Sequence, residues 1–247
     1  MSSIIVVPFH QDEQLPAENF PLPGGGHRMV VPDLPEGNIW ERLVSLYRVV
    51  ADAVSEAEET PLVVSGDCTV SLGVLAGVQR RGVDPSIIWF DAHGDVHTLE
   101  SSTSGYIGGM ALRLALGAHA DRMVEPLGLR PLTERQATLV DARDLDPAES
   151  EFLSTAAIRR CSVEQIHLPE DPIVLHVDVD VIDGDEVPGL RYPVPGGPPR
   201  NTVLDAIQRI VDTGRVVALD IACPWYAGNY PQRSELLAAI TGRFELH

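Results

Sequence analysis

Six short apolar runs recur along the 247-residue chain: Ile4 to Val7, Leu62 to Ser65, Ile87 to Asp91, Thr138 to Asp141, Ile173 to Asp178 and Val216 to Asp220. Unbroken apolar runs of this length, bounded by polar or turn-forming residues, read as strands buried on both faces. Between the first two, Ile39, Trp40, Leu43, Tyr47, Val50, Ala51 and Val54 return at helical spacing and predict one buried helix face. Further helices are predicted over Thr69 to Arg81, Gly109 to Leu116, Pro147 to Ala156, Thr202 to Thr213 and Gln232 to Thr241. Strands that alternate with helices predict the α/β class, a mainly parallel sheet covered by helices on both faces. The stretches Gln14 to Gly26 and Val187 to Pro199 are rich in Pro and Gly and are expected as loops near strand ends. With no internal repeat and no convincing linker, residues 1–247 are expected to form one domain.

The ends of two of these strands carry chemistry. Ile87 to Phe90 empties into Asp91-Ala92-His93-Gly94-Asp95-Val96-His97, and Ile173 to Val177 empties into Asp178-Val179-Asp180, with Asp183 close behind. Residues two apart on an extended chain share a face, so each run aims its acids at one point beyond its strand. In an open α/β sheet that edge is where ligands bind. A single Asp at a strand end is ordinarily a helix cap or a turn residue. Four carboxylates brought together would instead repel strongly unless cations neutralised them, which points to a site for divalent metal ions.

Charge narrows the partners. Asp plus Glu number 36 against 18 Lys plus Arg, a formal charge of −18 that disfavours nucleic acid and anionic membranes and suits small cationic molecules. No apolar stretch reaches the roughly 18 to 20 residues needed to span a bilayer. The first residues lack the basic and long apolar parts of a signal peptide, and Cys68, Cys161 and Cys223 are too few for a disulfide framework. A cytoplasmic enzyme is therefore expected. Gly24-Gly25-Gly26 follows no strand and opens no helix, so it lacks the context of a nucleotide-phosphate turn.

Gly66-Asp67-Cys68, Asp91-Ala92-His93-Gly94-Asp95, Ser104-Gly105 and His176-Val177-Asp178-Val179-Asp180 stand in an order and spacing that resembles the arginase and agmatinase superfamily, the ureohydrolases. The resemblance spans most of the chain and implies a three-layer α/β/α fold and a binuclear metal centre, manganese in that family. It also implies Asp91 and Asp178 as bridging ligands, Asp95 on the first metal with Cys68, and His93 and Asp180 on the second. The resemblance further implies that Asp95 doubles as a catalytic group that accepts the proton of a metal-bridging hydroxide as the guanidine carbon is attacked. Asp183 is expected as supporting or turn structure.

Departures from the family pattern shape the substrate expectation. Cys68 replaces a His ligand, and a thiolate shifts the first site toward zinc or iron, although a Cys at such a junction is ordinarily just a small buried residue. Gly108 stands where arginases carry a proton-shuttling His, and Cys223 stands where they carry a Glu that pairs with the guanidinium. His97 and Glu100 are the nearby ionisable groups that could compensate, with surface or structural roles the alternative; His97 is taken as a catalytic candidate beside Asp95. Arg143-Asp144-Leu145-Asp146-Pro147-Ala148-Glu149 resembles the segment that recognises the substrate α-amino group, with Asp146 as the direct contact and Glu149 supporting it. The same residues also make a good helix start. Ser104 matches a residue that binds the substrate carboxylate. Together with Cys223 these are the candidate substrate contacts.

An α-amino acid with a less basic guanidine fits this set, because a charged guanidinium left unpaired in the pocket would cost several kcal/mol. The expected activity is hydrolysis of Nω-hydroxy-L-arginine to ornithine and hydroxyurea, as in the branch of the family known from D-cycloserine antibiotic biosynthesis. Alternatives are an arginase, agmatinase or guanidino-acid hydrolase with altered supporting residues, or a degenerate member that binds a ligand without turnover. Related proteins are often homo-oligomers, but no sequence feature marks a contact surface.

Overall fold

The computed structural model describes residues 4–16, 19–22, 26–222, 224–228 and 230–244. Eight parallel strands form one sheet in the order β4-β1-β5-β10-β9-β6-β7-β8. They are β1 (Ile4–Val7), β4 (Arg28–Met29), β5 (Leu62–Ser65), β6 (Ser86–Asp91), β7 (Ala137–Asp141), β8 (Arg159–Cys161), β9 (Ile173–Asp178) and β10 (Val216–Ala222). A separate two-stranded hairpin pairs β2 (Phe9–His10) with β3 (Glu13–Gln14). The chain builds outward from β6 through β7 to β8, then returns to insert β9 and β10 between β6 and β5. This reversal opens a crevice beyond the carboxyl ends of the central strands.

Alternation along the strands feeds two helical layers. Ile5, Val7, Val63, Ile87, Trp89, Leu139 and Val174 face one core, together with α1 (Ile39–Ser55), α2 (Ser71–Arg80), α3 (Ala111–Ala115) and α4 (Val124–Leu127). Leu153 of α5 (Pro147–Thr155) joins the same core. Ile4, Val6, Val64, Ile88, Phe90, Leu175 and Val177 face the other, against α6 (Arg200–Val211) and α7 (Pro231–Gly242). The architecture is the expected three-layer α/β/α sandwich. Asn38 caps α1 by accepting from Trp40 N at 3.0 Å, while Glu41 returns a bond to Asn38 N at 3.1 Å. That reciprocal pair starts the helix where its apolar face begins.

Differences from the sequence expectation are local. Cys68–Val70 and Gly108–Met110 wind as 3-10 turns, so α2 and α3 begin two residues later than predicted. β10 runs two residues beyond Asp220, and Gln14, placed in a loop by its Pro- and Gly-rich surroundings, closes β3. β2, β4, β8 and α4 had no sequence signal, because two to four residues are too few to show a period. Among the described residues no helix is long and apolar enough to cross a membrane.

Candidate metal centre and substrate pocket

Backbone turns at two strand ends fix the acids. Past β6, Asp91 Oδ1 accepts from His93 N at 2.7 Å and its Oδ2 from Trp89 Nε1 at 3.0 Å. Asp95 then takes the left-handed conformation, φ 52°, which Asp tolerates better than most residues. Past β9, Asp178 Oδ1 accepts from Asp180 N at 2.9 Å, and Asp180 Oδ1 accepts from Ala92 N at 3.0 Å, tying the two strand ends together. Arg143 pins the turn that follows β9 by donating to the carbonyls of Asp180 at 3.0 Å, Val181 at 3.0 Å and Val194 at 2.7 Å.

Two donor groups result. The ligand atoms of Asp91, His93 and Asp180 lie within 4.8 Å of one another, and so do those of Cys68, Asp91 and His176. Asp91 belongs to both, the place a carboxylate shared between two ions would take. Cys68 Sγ donates to Asp178 Oδ2 at 2.9 Å, which sets Asp178 beside the first group, while His93 Nδ1 lies 2.9 Å from Asp180 Oδ2 in the second. Asp95 Oδ2 is buried without a hydrogen-bond partner.

The electrostatics are those of crowded acids. Burial, with the Asp91 charge beside it, pushes the Asp95 carboxyl well up, and burial with Asp180 nearby does the same to Asp178. Burial and Asp91 push Asp180 up to about 6 against the pull of His93. Burial alone would lower the His93 imidazole, yet its hydrogen bonds and charge pairing with Asp180 and Asp91 push it up to about 12. Asp91 would also be raised by burial but is held below the usual range by His93 and Trp89. Burial, then Asp178, pushes the Cys68 thiol up. Dications relieve this strain by replacing protons as the neutralising charge. The oxygen-rich group with one imidazole and the group that includes a thiol therefore both fit divalent ions.

A cavity of about 220 Å³ opens onto these donors and is lined by His97, Ser104, Tyr106, Asp146, Glu149 and Tyr192, among others. Buried Glu149 accepts from Val96 N at 3.2 Å and from Asp146 N at 3.1 Å, and a Cβ at Gly94 would sit 2.8 Å from its Oε1. Asp146 stands at the N-cap of α5 and also faces the cavity, so capping and substrate contact are compatible. His97 places Nε2 3.0 Å from Asp146 Oδ2 and Nδ1 3.0 Å from Ser101 Oγ. With both nitrogens engaged, the ring links Ser101 to Asp146 and orients the Asp146 carboxylate at the cavity.

Not every candidate reaches the pocket. The Glu100 side chain is 76% exposed and pairs with His119 at 3.5 Å, away from the cavity, because the turn after Leu99 carries it outward. Asp183 accepts from Asp185 N at 3.0 Å and caps a turn. Cys223 lies outside the described residues, as do Gly24 and Gly25. Other lining residues had no sequence signal. Asp144 approaches His93 Nε2 at 4.0 Å, and Tyr192 joins a ring cluster with Tyr106 and His10. The Tyr106 ring occupies the space beside Gly108: a Cβ there would lie 2.3 Å from it. Its hydroxyl donates to Asp67 Oδ2 at 3.3 Å, and burial with the Asp67 charge raises its pKa, so it remains neutral.

The profile of the arginase family matches residues 21–239. The chain belongs to the arginase family. It is 30% identical to an arginase of Bacillus subtilis over 183 residues, which cover 68% of this chain and 62% of that protein. It is 29% identical to an N(omega)-hydroxy-L-arginine amidinohydrolase of Streptomyces lavendulae over 189 residues, 74% of this chain and 66% of the other. In three dimensions it resembles an arginase of Bacillus cereus, with a TM-score of 0.83 at 23% identity over 99% of this chain and 98% of that one. The chain spans about half to two thirds of the length of several curated arginases it matches, 47%, 62% and 54% for three of them. Within the arginase-family fold, the two donor groups lie at the carboxyl end of β6 and just past β9, on the turn that leaves β5 and, for His176, within β9 itself.

Proposed function

We propose that the protein is a binuclear-metal hydrolase of a guanidino amino acid, and that this substrate is Nω-hydroxy-L-arginine, cleaved to ornithine and hydroxyurea. The observation that carries the hydrolase is the pair of donor groups sharing Asp91 at the floor of a cavity. Two bound dications would supply Lewis acidity and an acidified water for attack on the guanidine carbon. Asp91, His93, Asp95, Asp178 and Asp180, with Cys68, would hold them. Asp95, whose buried Oδ2 has no hydrogen-bond partner, would receive the proton that water gives up as its oxygen bonds to carbon. The bond from that carbon to the chain nitrogen then breaks, and the nitrogen takes a proton as ornithine departs. Asp146, steadied by His97 and Glu149, receives the α-amino group, and Ser104 faces the carboxylate end.

Support for the hydroxylated substrate comes from the pocket's lost base. Tyr106 fills the space at Gly108 with a neutral hydroxyl, a poor partner for a strongly basic guanidinium and an adequate one for a neutral hydroxyguanidine. The named activity of the Streptomyces lavendulae relative agrees with this reading, while the Bacillus subtilis relative is named an arginase. The test is a substrate panel on metal-reconstituted protein: arginine, Nω-hydroxyarginine, agmatine and shorter guanidino acids. Much higher kcat/KM for Nω-hydroxyarginine is expected. Comparable turnover of arginine, or turnover of agmatine alone, would overturn the substrate and leave the hydrolase standing.

A further inference from the structure

We propose that His176 is a ligand of the first metal position, forming with Cys68 and Asp91 a nitrogen–sulfur–oxygen set that selects zinc, cobalt or ferrous iron over manganese. The proposal rests on the binuclear reading above. His176 is fully buried in the middle of β9, where a strand between two helical layers calls for an apolar side chain. Nδ1 lies 2.8 Å from Asp220 Oδ2, but Nε2 is buried with no hydrogen-bond partner. A buried ring nitrogen left bare is rare in a folded protein and asks for an explanation. One is at hand, since a ligand atom of His176 lies within 4.8 Å of those of Cys68 and Asp91.

The surroundings prepare the ring for this task. Trp89, His176 and Asp220 sit side by side on β6, β9 and β10, one row beneath the strand-end acids. The Trp89 ring stacks on His176 with centroids 3.7 Å apart, and the same indole donates to Asp91 Oδ2, so one side chain orients two ligands. Asp220 would fix the tautomer with the proton on Nδ1 and leave the Nε2 lone pair for the metal, the usual carboxylate–histidine–metal relay. A site that has Cys where relatives have His would thereby regain an imidazole from a different strand. Thiolate plus imidazole is a donor pair suited to zinc, and to cobalt and iron beyond manganese.

The test uses the full-length protein and zinc or cobalt alone. Stoichiometry and affinity are measured by chelator competition, and X-ray absorption is recorded at one zinc equivalent. Wild type is expected to bind two equivalents, with sulfur at about 2.3 Å and imidazole nitrogen at about 2.0 to 2.1 Å from zinc. His176→Gln should lose that imidazole signature and weaken the tighter site more than a hundredfold, while His93→Gln keeps the signature. Asp220→Asn, which preserves packing if His176→Gln fails to fold, should weaken the same site by about 10- to 100-fold. An unchanged imidazole signature in His176→Gln, or unchanged affinity in Asp220→Asn, would overturn the proposal while the two-metal reading survives. Failure of the wild type to bind zinc, cobalt or manganese would overturn both.

Discussion

At the scale of single residues, the informative side chains are those that depart from the donor set a ureohydrolase uses. Cys68 sits against Asp178 with its thiol raised by burial and by surrounding acids, so only a cation at that point makes the thiolate favourable. Cys68→His should move the first site's preference from zinc toward manganese, read by competition titration of the two metals; an unmoved ratio would show that the sulfur does not set selectivity. Asp146 tests the other end of the pocket. Removing a charge-assisted contact costs about 1.5 to 3 kcal/mol, so Asp146→Ala should lower kcat/KM for an α-amino acid substrate about tenfold to more than a hundredfold. A guanidino acid without the α-amino group should lose far less. Equal losses would mean that Asp146 serves chiefly as the cap of α5.

At the scale of elements, close packing sets what can change. Helices α1 and α2 approach through Gly73 and Gly77; a Cβ at Gly77 would meet Val54 Cβ at 2.6 Å and the Ala51 carbonyl oxygen at 2.8 Å. Gly77→Ala gains about 1 kcal/mol of helix propensity but forces an overpacked contact worth about 1 to 3 kcal/mol. Because backbone is among the atoms met, a net loss of stability is expected, seen as a lower urea midpoint at constant slope. The loop before α3 obeys the same logic. Gly108→Ala should expel the Tyr106 ring and lower stability, and Tyr106→Ala combined with it should recover part of the loss, a coupling that additive effects would disprove. Helices α1, α2 and α5 were legible beforehand because nine to 17 residues are enough to display a period, to which α1 and α5 add a cap at Asn38 and Asp146. The turns Cys68–Val70 and Gly108–Met110 were not, since nothing in three residues separates a 3-10 turn from the helix it leads into.

At the scale of the molecule, the metal cluster should govern stability against pH. Without metal, Asp180 has its pKa raised to about 6, and burial among neighbouring acids also raises Asp95 and Asp178 well above the ordinary carboxylate range, so folding favours their protonated forms. Stability from a raised carboxyl is complete below the unfolded pKa near 3.9 and is lost as pH climbs through the folded value. His93, raised to about 12, adds stability that is complete below about 6.5 and declines above it, the same direction from about pH 6.5 to 7.5. Asp91 works the other way, but its loss falls below about pH 4. The formal charge of −18 adds self-repulsion as pH rises. Chelated protein should therefore melt at a higher temperature at pH 5.5 than at pH 7.5, and added zinc or manganese should reverse that order. A metal-free Tm that rises toward pH 7.5 would show that the acids are not held together as described.

Sequence alone determined the sheet class and the acids at two strand ends, because apolar runs mark the strands and Asp91 and Asp178 stand where those runs stop; the turn past β6, with Asp95 left-handed, and the 3-10 turn Val179–Val181 past β9, not the extended alternation expected, are what gather His93, Asp95 and Asp180 beside them. It also marked Cys68 as unusual by its place after Gly66-Asp67. Tertiary structure alone decided which strands became neighbours. Inserting β9 between β6 and β10 is what sets His176 between Trp89 and Asp220, and what brings Cys68 from the turn after β5 within reach of Asp178. It likewise turned Glu100 to solvent and laid Tyr106 over Gly108. Those outcomes depend on contacts between residues far apart in the chain, and no local pattern of hydrophobic and polar positions encodes which distant surfaces will close on each other.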